Sequence, residues 1–83
     1  MSFRNLEPTL PYHPEARKIL RERFKFSSRE TEEVMNQVFW HFARLPHAEE
    51  IKNPRRYLLD TVRKFAAARR RQEKAWANQD KKL

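Results

Sequence analysis

The chain has 83 residues, with 19 Lys and Arg against 11 Asp and Glu, a formal charge of +8 and a pI near 10.5, and it contains neither cysteine nor glycine. So short a chain forms one domain with a modest core, burying roughly 60–65% of the surface its unfolded form exposes. The missing cysteine excludes disulfides, thiolate metal sites and a cysteine nucleophile, the missing glycine argues against hairpins and Gly-rich phosphate loops, and the charge favours nucleic acid, an anionic membrane or an acidic protein surface as partner.

With Pro8, Pro11 and Pro14 closely spaced, residues 1–13 are expected to be extended, or at most a short turn of helix. Phe3, Leu6, Leu10 and Tyr12 are free to pack onto the body. A first helix opens near Pro14, a good first-turn residue, and sets Ala16, Ile19, Leu20 and Phe24 at helical spacing before ending near Lys25. Arg17, Lys18, Arg21 and Arg23 fall outside that stripe. Ser27 to Glu30 reads S-S-R-E, a capping box in which the serine oxygen accepts from the third backbone amide and the glutamate reaches back. A second helix is therefore expected over about residues 28–45, with Val34, Met35, Val38, Phe39, Phe42 and Leu45 inward and Pro46 closing the run.

After the connector PHAEEIK, Asn53 is placed as the N-cap and Pro54 as the first residue of a third helix, whose inward residues are Leu58, Val62, Phe65 and Ala66. Beyond Ala68 the apolar stripe stops while good helix formers continue, so the helix is expected to reach about residue 77, about 35 Å in length. Its second half then projects or lies against a partner. The expected fold is all-α: a compact three-helix, or four-helix, bundle over residues 14–77 with a long basic C-terminal helix and a basic tail at 78–83. No apolar run approaches the roughly 18 residues of a membrane span and the N-terminus lacks the apolar segment of a signal peptide, so a cytoplasmic protein with no membrane partner is expected.

Two surfaces carry the functional expectation. Arg55, Arg56, Arg63, Lys64, Arg69, Arg70, Arg71 and Lys74 crowd the third helix, enough to follow a phosphate backbone, and Tyr57 and Trp76 offer planes for an unpaired base. The ordinary alternative is a solvated helical face, but only Asp60 and Glu73 offset this run. On the second helix, Asn36, Gln37, Trp40, His41 and Arg44 lie outside the apolar stripe, and a tryptophan there points to a protein interface, against Trp40 simply wrapping the flank of a small core. His13, His41 and His47 match no zinc spacing, and no nucleophile, base and oxyanion site assemble, so neither a metal, nor a cofactor, nor an enzyme is expected.

The two blocks RETEEVMNQVFWHFARL and IKNPRRYLLDTVRKFAAARRR, with their connector, resemble region 2 of the bacterial sigma-70 family, in particular its extracytoplasmic-function group, over about residues 14–74. In that group a helix of the type D-A-E-D-L-V-Q-E-x-F precedes a loop and a helix of the type N-P-R-A-W-L-x-x-I-A-R-N-x-A-x-D-x-x-R-R. The resemblance implies that Glu30, Glu33, Asn36, Gln37, Trp40 and His41 face the clamp helices of the β′ subunit of core RNA polymerase. It implies that the loop Ala48 to Lys52, with Asn53, Arg55, Arg56, Tyr57, Arg63 and Lys64, binds and melts the promoter −10 element and captures a flipped base. The first helix then supports the fold and adds a secondary polymerase contact, and an anti-sigma factor is a further partner.

The chain departs from the family at named positions. Asn36-Gln37 replaces a Gln-Glu pair, Thr61-Val62-Arg63-Lys64 stands where Ile-Ala-Arg-Asn is frequent, and Asp60 occupies a place that is often neutral or basic. A lysine suits phosphate better than a base edge. The 83 residues leave no room for the helix-turn-helix of region 4, so the expectation is either a domain excised from a longer factor or a stand-alone region-2-like protein. Two other readings stay open: a sigma-like regulator that occupies polymerase without opening promoters, and a small basic DNA binder unrelated to polymerase.

Overall fold

The computed structural model describes the backbone of residues 3–81 and the side chains of residues 4–75. Three α-helices, α1 (His13–Glu22), α2 (Ser28–Ala43) and α3 (Pro54–Lys81), form the body. A 3-10 helix, Phe3–Tyr12, precedes them, and a short 3-10 turn, Ala48–Glu50, joins α2 to α3. No strand occurs among the described residues, as an all-α fold requires.

The helix starts follow the capping chemistry of the sequence. Ser27 Oγ accepts from the Glu30 amide at 3.1 Å while Glu30 accepts from the Ser27 amide at 3.1 Å, completing the capping box of α2. Asn53 Oδ1 accepts from the Arg56 amide at 3.1 Å and starts α3 at Pro54. Between α1 and α2 the turn passes through Lys25 at φ 57°, a left-handed conformation usually left to glycine. The carbonyls of Ile19 and Leu20 are taken there by the amides of Arg23, Phe24 and Phe26, which closes α1.

The core lies where the three helices meet. Leu20 of α1, Val34, Met35, Val38 and Phe42 of α2, and Leu58 and Val62 of α3 are all fully buried. Opposed charges report the register. Glu15 of α1 meets Arg55 of α3 and Arg17 meets Glu32 of α2, so α1 runs alongside α3 and antiparallel to α2.

The N-terminal segment differs from the extended strap expected from its prolines. Residues 3–12 wind into a 3-10 helix that contains Pro8 and Pro11. Proline's fixed φ near −65° lies within the 3-10 range, so these residues restrict the backbone to a conformation the helix accepts. Asn5 then anchors the segment: its side-chain amide donates to the carbonyls of Phe42 at 2.9 Å and Leu45 at 3.1 Å, capping the end of α2. Below it, His13 Nε2 and Thr9 Oγ1 pair at 2.9 Å, both residues buried, with the His13 ring 5.0 Å from Phe39.

Helix α3 is a single 28-residue helix and sets the longest dimension of the molecule, 48 Å. No helix is long and apolar enough to cross a membrane among the described residues. The Trp76 side chain and those of the 78–83 tail, both part of the expected basic surface, lie outside the described residues.

Candidate nucleic-acid interface

The connector and the first turns of α3 form an open recess of about 570 Å³. Leu45, Pro46 and Ile51 give it apolar walls, Tyr57 gives it an aromatic plane, and its polar side carries Lys52, Asn53 and Arg56 together with His47, Glu50 and Asp60. The 3-10 turn at Ala48–Glu50 creates this recess, because buried Ala48 tethers the connector to the core while Glu49 and Glu50 stay exposed. Lys52 and Asn53 are exposed, so donors reach the cavity without entering the core.

Tyr57 is held in place from the α2 side. His41 lies near parallel to it, ring centroids 6.3 Å apart and 18° between planes, and His41 Nε2 is 3.4 Å from the Tyr57 hydroxyl. Phe42 meets the tyrosine ring at a steep angle, centroids 5.3 Å apart and 73° between planes. The sequence assigned His41 to a protein interface and Tyr57 to nucleic acid; the packing brings the two together at one junction.

The remaining basic residues divide by their partners. Arg55 grips Glu15 through Nε at 3.0 Å and Nη2 at 2.5 Å, and these bonds hold the Glu15 carboxyl below the usual carboxylate range and raise Arg55. Arg56 and Arg63 flank Asp60 at 3.9 and 3.7 Å. Asp60 therefore sits between two cations. Lys64 is exposed beside the cleft that His41, Tyr57 and Phe65 line, and Arg71 is exposed with no ion pair among the described residues.

Arg69 and Arg70 have internal partners instead. Arg69 Nη2 is 2.6 Å from Glu33, and its Nε lies 3.4 Å from Glu73 and 4.0 Å from Glu30. Arg70 pairs with Glu73 at 3.1 Å, donates to the Phe24 carbonyl, and places its guanidinium 4.2 Å from the centre of the Phe26 ring. Glu30 is held below the usual carboxylate range first by the Ser27 amide and then by the Ser27 hydroxyl and the Arg69 and Arg70 charges. Two residues expected on DNA and two expected on a protein partner are thus joined in one cluster. The inward stripe of α3 carries the signal for it: after Val62 and Ala66 the next positions are Arg69, Arg70 and Glu73, facing the acidic first turns of the antiparallel α2.

On the other α2 face, Gln37, Trp40 and His41 line a cleft of about 570 Å³ with Arg44, Leu45 and Phe65. Trp40 is 45% exposed, with the Arg44 guanidinium 5.7 Å from its ring centre. Asn36 is exposed on the adjoining surface. No cluster of three or more His, Asp or Glu suited to a metal ion occurs among the described residues. Comparison with family models, curated proteins and solved structures found no match.

Proposed function

We propose that the chain is a sigma-factor region-2-like domain that binds core RNA polymerase through the Trp40 side of α2 and promoter −10 DNA through the connector and the start of α3. The observation that carries the reading is the cavity of about 570 Å³ walled by Tyr57 and apolar residues and edged by Lys52, Asn53 and Arg56. Its chemistry suits an unpaired base: an aromatic plane to stack on, with amide, ammonium and guanidinium donors at the rim beside the carboxylates of Glu50 and Asp60. The resemblance supplies the partners, since the cavity lies at the loop and helix start where the family captures a flipped base. Chemistry is confined to stabilising an open strand; no bond is made or broken.

The test adds the protein to core polymerase with a promoter fragment that fluoresces on strand opening. Opening is expected, with Tyr57→Ala abolishing it and Trp40→Ala weakening polymerase binding about tenfold, the scale of an interface anchor. Polymerase binding without opening favours the second reading, a regulator that occupies the clamp. The pairing of Arg69 with Glu33 at 2.6 Å supports that reading, because it engages a cation expected on DNA. No polymerase binding at all would sink both.

A further inference from the structure

The molecule has a second recess, net positive in its lining, on the side of α1 to which the proposed function gives no DNA role. We propose that the groove between α1 and α3 seats the phosphate backbone of duplex DNA, with Lys18 and Arg23 of α1 as its uncommitted cations. The groove measures about 790 Å³ and brings Lys18 and Arg23 across from Arg55, Arg56 and Arg63 of α3. Glu15, Glu22 and Asp60 line it as well, so five cations meet three carboxylates. Glu15 is occupied by Arg55, and Asp60 is shared between Arg56 and Arg63. Lys18 and Arg23 are exposed and in no ion pair among the described residues. Arg21 and Lys25, exposed at the same end of α1, extend the positive field.

The chemistry of the lining selects the ligand. Among the described residues no aromatic side chain lines the groove, so it offers no plane to an unpaired base, in contrast to the Tyr57 recess beside it. A duplex keeps its base faces stacked inside and carries its phosphates on the outside, where cations bind them without any aromatic plane. Arg56 and Arg63 are separated by about 10 Å of helix rise, far enough to reach separate phosphates. Their bonds to Asp60 are long and exposed, so a phosphate competes with that carboxylate readily.

The test uses the full chain without polymerase and a duplex of random sequence, with binding followed by fluorescence anisotropy across a range of salt. The double substitution Lys18→Ala, Arg23→Ala is expected to weaken duplex binding several-fold at low salt. It should lower the slope of log affinity against log salt by roughly two, close to one for each phosphate that is no longer neutralised. The exchange Lys18→Arg, Arg23→Lys keeps both charges and should restore the slope, while circular dichroism verifies that the helices persist in each variant. An unchanged slope overturns the proposal, as does absence of duplex binding by the wild type at low salt. It is equally overturned if the double substitution weakens binding to phosphatidylserine vesicles or a polyglutamate peptide and not to the duplex. With no polymerase in the assay, failure here leaves the polymerase reading standing, and failure to bind polymerase leaves this groove standing.

Discussion

Thr31 is 1% exposed on the core side of α2, and its hydroxyl has no hydrogen-bond partner among the described residues. A buried hydroxyl left unpaired retains a desolvation cost of about 1–3 kcal/mol. Thr31→Val keeps the shape and removes that group, so it is expected to stabilise the fold by about 1 kcal/mol, read as a higher urea midpoint at unchanged slope. His13 makes the opposite kind of contribution. Thr9 donates its hydroxyl proton to the Leu6 carbonyl at 2.7 Å, so the hydrogen between Thr9 and His13 belongs to Nε2 of the ring. Burial first, and the Arg17 charge second, hold the His13 pKa below the ordinary 6.5. The unfolded chain therefore takes up this proton at a higher pH than the folded one. Stability should fall as pH drops through about 6.5 and level off below the folded pKa. Melting temperatures recorded between pH 7.5 and pH 5 should fall less steeply for His13→Gln than for the wild type.

At the scale of elements, the decisive contact is the end of α3 against the start of α2. Once the apolar stripe ends at Ala66, Arg69 joins Glu30, Glu33 and Glu73, and Arg70 covers Phe26. Replacing Arg69 with methionine keeps the length of the side chain but removes the cation that Glu30, Glu33 and Glu73 share, leaving Arg29 on Glu33 and Arg70 on Glu73. Hydrogen exchange at residues 67–75 should then quicken several-fold while residues 54–65 stay protected, and added salt should narrow the difference by screening the repulsion between these carboxylates. The limits of the helices were legible in the sequence because capping is local: Ser27 with Glu30, and Asn53 before Pro54, each act within four residues. The 3-10 form of residues 3–12 was not, since its anchor, Asn5 on the Phe42 and Leu45 carbonyls, spans about forty positions of sequence.

Across the whole molecule, a basic surface that reads as one face of α3 is distributed over two helices. Counting charge along the chain locates cations without showing which carboxylates another helix brings to them. Arg55, Arg69 and Arg70 read as solvent-facing in the sequence, yet Glu15, Glu33 and the Phe24 carbonyl come to them from α1, α2 and the turn between those helices. The residues around Tyr57 were legible as a site because connector, N-cap and aromatic are neighbours in sequence. The His41 ring that steadies Tyr57 reads from the sequence as part of a protein interface, because its contact with α3 comes from tertiary packing and not from proximity in the chain.

Asn53, Arg56 and Asp60 line both the Tyr57 cavity and the groove beside α1, so these two recesses have a common wall. A wall with two sides is a thermodynamic coupler. An anion that draws Arg56 away from Asp60 on one side changes the field on the other, and whatever factor the first ligand imposes on the second is returned unchanged. Occupancy of one recess is therefore measurable as a shift in affinity at its neighbour, even when the two ligands never touch.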